Sequence, residues 1–417
     1  MSTQLLSTRD HFAGLTLAMK GFEAADFYQL DELLTEEERA LRDRVRRWVE
    51  RRFLPVVVEH YRAGTLPLDL VPELAGLGAF GPAIRGYGCA GLGSVATGLI
   101  MRELERGDSG LRTLASVQGS LAMTAIDLFG SEEQKSYWLP PMARGEKLGC
   151  FALTEPDHGS NPAGICCRAV KTSQGYRLSG EKKWIGSGTI ADVAVVWAKV
   201  EGESGIDPQS PDAIHGFLVE RGTPAFETSL IEGKLSLRVG LTAQLAFRDC
   251  EISQSALLPK TAGLRSPLSC LNHARYGIAW GVIGAAMACY DEARQYALSR
   301  QQFGRPLGSF QLVQAKLARM LTEITKAQLV AFRLAQLKDS GAIKPYHISM
   351  AKMSNVESAL EVARTARDLL GGVGILDEYQ SFRHMCNLES VQTYEGTHDI
   401  HLLVLGQKIT GIQAFSN

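Results

Sequence analysis

Val193-Ala194-Val195-Val196-Trp197-Ala198-Lys199-Val200 is a short run of β-branched and apolar residues with Asp192 before it and a stretch rich in Gly, Ser and Asp after it. A run of that length between turn formers predicts a strand. Working outward, Tyr176 to Leu178, Gly216 to Glu220 and Gln244 to Phe247 have the same character, and Gly, Pro, Ser and Asp clusters separate them. From about Gly149 to Leu258 the chain therefore reads as a small β domain. The loop Glu201 to Ala213 is expected to be a surface excursion.

On both sides of this region the periodicity is helical. Thr35 with Glu38 three residues on is a capping box, and Leu41, Val45, Trp48 and Val49 then fall on one face, with Pro55 marking an end or bend. Val71 to Leu77, Val95 to Glu105 and Leu111 to Phe129 continue the pattern, and Ser131 with Gln134 opens a short helix before Pro140 and Pro141. After Pro267 come Leu271 to Arg300, Phe310 to Lys338 and Pro345 to Leu370, broken at Gly304-Arg305-Pro306 and at Gly341. Helices of that length pack best as an antiparallel bundle. A chain of 417 residues also exceeds what one core usually fills, about 250–300 residues, so two or three domains are expected.

Lys and Arg total 44 against 45 Asp and Glu, with no basic block, which argues against nucleic acid as a partner. No run of eighteen apolar residues occurs, so no membrane span is expected. Met1 to Lys20 carries Arg9, Asp10 and His11 and lacks the organisation of a secretory signal. These features predict a soluble, cytoplasmic protein. The eight cysteines, Cys89, Cys150, Cys166, Cys167, Cys250, Cys270, Cys289 and Cys386, contain no C-x-x-C pair or zinc spacing and read as small buried hydrophobes.

Near the C-terminus, Thr393-Tyr394-Glu395-Gly396-Thr397-His398-Asp399-Ile400 places a carboxylate just before a glycine, where the backbone can turn sharply and admit a flat ligand. Alone, such a glutamate is more often a solvated loop residue. His398 and His401 have no third ligand at a recognisable spacing, so no metal is expected.

Other segments supply the context. Leu153-Thr154-Glu155-Pro156 with Gly159-Ser160, Lys183-Trp184-Ile185, Arg300-Gln301-Gln302-Phe303-Gly304, Leu370-Gly371-Gly372-Val373-Gly374-Ile375 and Tyr394-Glu395-Gly396-Thr397 resemble, in that order, the signature segments of acyl-CoA dehydrogenases. The resemblance runs from about residue 31 to residue 415. It is densest toward the glutaryl-CoA dehydrogenase branch, in Arg85 to Gly91, Arg102 to Arg106, Ala274 to Gly281, Thr393 to His401 and Ile409 to Phe415.

The resemblance implies an α+β multidomain fold: an N-terminal all-helical domain over 1–148, a middle β-barrel domain over 149–262 and a C-terminal four-helix bundle over 263–417. It further implies a homotetramer with one FAD per subunit. Thr154 would hydrogen-bond the flavin ring, Ser160 the pyrophosphate, and Trp184 would cover the isoalloxazine. Arg300, with Phe303 in the same segment, and Gly371, Gly372 and Gly374 would meet the FAD of a neighbouring subunit, and Thr397 lies beside the base. Glu395 would be that base, with its own backbone N–H and a ribityl hydroxyl as donors to the thioester oxygen. Arg112 and Ser116, four apart and so on one helical face, match the positions that bind the distal carboxylate of glutaryl-CoA. Glu105 matches the partner of that arginine, and Tyr394 the tyrosine beside the base. A salt bridge from Arg112 to Glu105 or Asp108 is the competing structural reading.

Two positions depart from the family pattern. Gly186-Ser187 stands where Thr-Asn is usual, and the threonine hydroxyl would meet flavin N5; a plant short-chain acyl-CoA oxidase subgroup also has glycine there. Asn161 replaces a common aspartate, and His158 is bulkier than the usual residue. The leading expectation is oxidation and decarboxylation of glutaryl-CoA to crotonyl-CoA, with electrons leaving through electron-transferring flavoprotein. The alternatives are an oxidase, a biosynthetic dehydrogenase acting on a related coenzyme A or acyl carrier protein thioester, and a catalytically silent flavoprotein scaffold.

Overall fold

The computed structural model describes residues 26–202, 205 and 207–415. Met1 to Lys20, read above as lacking a secretory signal, lies outside the described residues. Helix α1 (Glu36–Trp48) starts at the reciprocal cap that the spacing predicts, Thr35 accepting from the Glu38 N–H and Glu38 from the Thr35 N–H. Pro55 is accommodated by a π turn, Val49–Phe53, after which the chain resumes as α2 (Leu54–Ala63). The widened turn relieves both the missing N–H and the clash of the pyrrolidine ring with the preceding turn.

Further on are α3 (Val71–Gly76), α4 (Ser94–Gly107), α5 (Ser109–Ala115), α6 (Thr124–Phe129) and α7 (Glu132–Ala143). The single helix expected over Leu111 to Phe129 is instead α5 and α6 joined by a π-helical segment, Ser116–Met123. The helix opened by Ser131 does not stop before its prolines. It continues through Pro140 and Pro141, because the carbonyls of Pro140, Pro141 and Met142 still accept from Arg144, Glu146 and Gly145.

Seven strands form one sheet: β1 (Gly149–Ala152), β2 (Arg168–Lys171), β3 (Gly175–Gly186), β4 (Val193–Glu201), β5 (Ile214–Glu220), β6 (Phe226–Leu230) and β7 (Thr242–Ser253). The path is β1-β4-β2-β3-β7-β6, with β5 also on β4. Val193 to Ala198 of β4 are all buried, which is why that run is continuously apolar. β3 and β7 pair with register shifts between Leu178 and Gly180 and between Lys182 and Ile185. The second shift turns Trp184 outward.

The C-terminal part contains α8 (Arg265–Ser299), a small hairpin of β8 (Gln301–Gln302) and β9 (Arg305–Pro306), α9 (Gln311–Asp339), α10 (Pro345–Leu369), α11 (Gln380–Thr393) and α12 (His398–Thr410). α8 begins before the expected Leu271, because Pro267 sits in its first turn, where no intrahelical N–H is needed. It packs against α4, α9 and α10. No helix among the described residues is long and apolar enough to cross a membrane.

α4 and α8 cross at close range. A Cβ on Gly98 would overlap the Trp280 ring, one on Gly284 the carbonyl of Arg102, and one on Gly281 the Glu105 carboxylate. Every residue of α4 is buried, its charged ones included. Arg106 pairs with Asp291 of α8 at 3.0 Å, and Asp108 pairs with Arg383 of α11 at 3.0 Å while accepting from Asn387 at 2.9 Å.

His384 of α11 is buried among these groups, and burial together with the charge of Arg383 pushes its pKa well below the usual value. The unfolded chain then binds a proton near pH 6.5 that the folded chain refuses, so stability falls as pH drops below that point, by about 1.4 kcal/mol per pH unit. His384→Leu should remove roughly 2 kcal/mol of the stability lost between pH 6.5 and pH 5. Denaturant melts at the two pH values, wild type beside variant, measure it; parallel pH dependence would show that His384 is not responsible.

Candidate active site

Helix α11 ends at Thr393, and the turn that follows carries Glu395 with φ 54° and Gly396 with φ 92°. A left-handed glutamate is costly unless its surroundings hold it. Here three carbonyls of the turn are each bonded by a cation, the buried Lys352 or the half-buried Arg275. Lys352 Nζ of α10 donates to Tyr394 O at 2.5 Å and Gly396 O at 2.6 Å, and Arg275 Nε of α8 donates to Glu395 O at 2.8 Å. His401 of α12 backs the turn: a Cβ on Gly396 would lie 2.9 Å from its Nε2, and its Nδ1 is 3.0 Å from Ser349 Oγ. Thr397 caps α12 by accepting from the Ile400 N–H at 3.2 Å.

Glu395 Oε2 is buried and has no hydrogen-bond partner among the described residues. Burial pushes its carboxyl above the usual range, while Arg112, Lys352 and Arg275 oppose the rise. Burial likewise pulls the Lys352 ammonium down to about 7, with Glu395 acting the other way.

Arg112 is fully buried. Its Nε donates to Glu105 Oε2 at 2.8 Å and its Nη2 to the Tyr394 hydroxyl, so one guanidinium joins α4, α5 and the Glu395 turn. The Glu105 pairing considered from the sequence is therefore present, whereas Asp108 belongs to Arg383 and Asn387. Arg112 Nη1 and Ser116 Oγ are both buried without a partner among the described residues. A Cβ on Gly186 would lie 3.0 Å from Val117 Cγ2, which brings the end of β3 against the π segment beside Ser116.

The other expected positions divide into two groups. Thr154 follows β1, and its carbonyl accepts from the Lys183 N–H at 2.9 Å, next to Trp184. Trp184 has φ 65° and is 57% exposed, an aromatic face fixed at the bulge and turned to solvent. Ser160 is exposed on a loop anchored by Glu155, which takes Lys182 Nζ at 2.8 Å and the Cys166 and Cys167 N–H groups at 2.6 and 2.9 Å. Glu155, His158 and Cys166 come within 4.8 Å of one another, a grouping that spacing did not reveal. The Glu155 oxygens are already engaged by those donors.

The second group lies at the far end of α8. Phe303 is 91% exposed with φ 52°, Arg300 is exposed, and Gly371–Ile375 form a 3-10 turn. Tyr296 and Tyr379, edge to face at 6.2 Å, bring the two segments to one end of the bundle. None of the hydrogen bonds, ion pairs or ring contacts among the described residues joins Arg300 or Phe303 to Thr154, Ser160, Trp184 or Glu395. A cavity of about 550 Å³ opens elsewhere, lined by Glu323, Lys326, Ser354, Ser358, Arg364 and His398 among others, and does not include Arg112 or Glu395.

Three family profiles cover these regions: the acyl-CoA dehydrogenase N-terminal domain matches residues 35–146, the middle domain 150–250 and the C-terminal domain 261–410. The chain belongs to the acyl-CoA dehydrogenase family. The crystal structure of glutaryl-CoA dehydrogenase from Mycobacterium smegmatis is similar, with 49% identity, 94% of this chain and 99% of that one covered, and a TM-score of 0.90. A second M. smegmatis glutaryl-CoA dehydrogenase structure, in complex with FADH2, shares 46% identity over 94% and 98% of the two chains, also at 0.90. Among curated sequences, human mitochondrial short-chain specific acyl-CoA dehydrogenase is 34% identical over 382 residues, 91% of each chain.

Lys352, Arg275 and Gly281 were not singled out from the sequence. Lys352 and its polar neighbours Ser349 and Asn355 sit in the buried stripe of α10 beside Ile348, Ala351 and Val356, and that interruption is the one signal available. Gly281 is required by the Glu105–Arg112 pair. Gly281→Ala should displace that carboxylate and cost roughly 1–3 kcal/mol. Gly277→Ala, whose Cβ would meet Met101 Cγ at an ordinary 3.4 Å, should be tolerated. Thermal melts of the two variants check this, and equal melting temperatures would contradict it.

Proposed function

We propose that this family member is an FAD-dependent enzyme that removes hydrogen from Cα and Cβ of glutaryl-CoA, and that the resulting glutaconyl thioester loses CO2 to give crotonyl-CoA. The observation that carries the substrate reading is the buried Arg112 guanidinium, whose free Nη1 and the nearby unpartnered Ser116 Oγ suit a carboxylate. A plain acyl chain would leave both unsatisfied. The high identity to the mycobacterial glutaryl-CoA dehydrogenases supports the same reading.

Trp184 supports flavin binding: a large ring is held exposed by a left-handed backbone, next to Lys183, whose N–H is bonded to Thr154 O. When bound, FAD would accept the hydride from Cβ. Glu395 is the base for the Cα proton, kept dry and unpartnered so that its raised pKa approaches that of the activated C–H. After CO2 leaves, protonated Glu395 returns its proton to the dienolate. Tyr394 and Glu105 hold Arg112 in place.

Arg300, Phe303, Gly371 and Gly372 are exposed and remote from Trp184 in their contacts, which supports their serving, with the buried Gly374 that tightens the same turn, the FAD of a second subunit in a homotetramer. Electron-transferring flavoprotein is the proposed acceptor and the cytoplasm the proposed location. Because Gly186 offers no hydroxyl, an assay in air and without it separates oxidase from dehydrogenase.

Anaerobic mixing with glutaryl-CoA should bleach the flavin and yield crotonyl-CoA by mass; no bleaching would refute the activity, and glutaconyl-CoA as end product would refute decarboxylation. Glu395→Gln should keep its flavin but slow bleaching roughly hundred- to ten-thousand-fold. In the wild type kcat/KM should rise with pH through the Glu395 ionisation, with its acid limb above 4.5. A limb at or below that value would remove Glu395 as the titrating base. Arg112→Ala should lower the glutaryl-CoA to butyryl-CoA ratio of kcat/KM roughly thirty- to several-thousand-fold. An unchanged ratio would leave Arg112 with a purely structural role.

A further inference from the structure

Lys352 is nearly fully buried, and among the described residues it forms no ion pair within 4 Å; its two bonds go to the peptide carbonyls of Tyr394 and Gly396. A buried ammonium whose hydrogen bonds go only to carbonyls is an expensive way to close a turn, since a neutral donor would satisfy the same oxygens. The geometry explains what the charge adds. In a trans peptide the C=O and the N–H point in opposite directions. Fixing Tyr394 O on Lys352 therefore directs the Glu395 N–H away from α10, and fixing Glu395 O on Arg275 does the same for the Gly396 N–H. Among the described residues no acceptor is bonded to either N–H.

We propose that Lys352 is a positioning residue: by binding the Tyr394 carbonyl it aims and polarises the Glu395 N–H as the donor to the substrate thioester oxygen, while holding Glu395 in its left-handed conformation. This rests on the reading of Glu395 as the base beside a bound thioester. The base and the oxyanion donor are then parts of one residue, and one ammonium sets both. Withdrawing electron density from the carbonyl makes the opposite N–H a stronger donor, where negative charge develops as the Cα proton leaves. Arg275 assists by locking the next peptide. Neither cation touches substrate.

The test uses the flavin-loaded enzyme with crotonyl-CoA carrying 13C at the thioester carbonyl, a ligand with no proton for Glu395 to remove by the forward reaction. Difference infrared spectra should place the bound carbonyl stretch of the wild type below its position in free ligand. Lys352→Met should return it most of the way and lower kcat for glutaryl-CoA roughly ten- to hundred-fold, with KM changed less than about threefold. Lys352→Arg should retain most of the shift. If Lys352→Met loses flavin or fails to assemble, Lys352→Gln, a neutral donor, is read the same way and should also lose the shift. A lower kcat that merely follows the flavin-loaded fraction, with the stretch per bound ligand unchanged, overturns the proposal and leaves the base assignment intact. No displacement in the wild type would instead overturn the thioester-binding role of the turn, and the proposal with it. Loss of bleaching in Glu395→Gln tests the base independently.

Discussion

Helices α4 and α8 approach so closely that a single Cβ at Gly98, Gly281 or Gly284 would collide with the opposite helix. That steric constraint governs much of the molecule. Every residue of α4 is buried, so each of its charged side chains must find its partner inside the protein. Arg106 reaches Asp291, Glu103 reaches Arg46 and Arg102, and Glu105 reaches Arg112. The pairs fix the relative placement of α1, α5 and α8, and through Asp108 and Arg383 that of α11 as well. The active turn is positioned because it follows α11.

Two glutamates on the same helix show how partners decide the charge of a buried group. Burial alone would push Glu103 up, but Arg46 and Arg102 hold it down at about 2. Glu105 has one arginine rather than two, and there burial prevails over Arg112, so its carboxyl is raised. Glu103 is thus a firm anion belonging to the scaffold. Glu105 is more loosely ionised and keeps Oε1 without a partner. The arginine it holds consequently retains part of its attraction for another carboxylate.

The order of helical and β regions was legible because periods of 3.6 and 2 are strong signals over long segments and because both capping boxes lie where their spacing predicts. β1, β2 and β6 were not named from the sequence: the first two are only four residues long, and Phe-Glu-Thr-Ser-Leu of β6 is mostly exposed at the end of the sheet and has no apolar pattern. The extent of α7 and α8 was misjudged because prolines were treated as boundaries, whereas one helix tolerates them in its last turn and the other in its first. At the site, the Arg112–Glu105 contact followed from motif positions, whereas Tyr394 was placed only beside the base and its contact with Arg112 came from the structure. Lys352 did not, since a lysine in an apolar stripe gives no hint of two carbonyls some forty residues onward. The pairing of Glu155 with Lys182 was equally hidden, being set by strand register rather than by local sequence.

The wide helical segment Ser116–Met123 has a further consequence. Two residues after Ser116, the side chain of Gln118 spans three separate groups, donating to the carbonyls of Met142 and Lys147 and accepting from the Gly149 N–H at the start of β1. Ser116 and Gln118 must therefore face, respectively, the interior beside Arg112 and the junction with the sheet, an angular relation set by the local helical pitch. Rewinding these eight residues at 3.6 per turn without shortening the chain would rotate everything downstream. Gln118 would swing off β1 or Ser116 out of the interior. The wide winding is thus a phase element that lets Ser116 and Gln118 meet different surroundings.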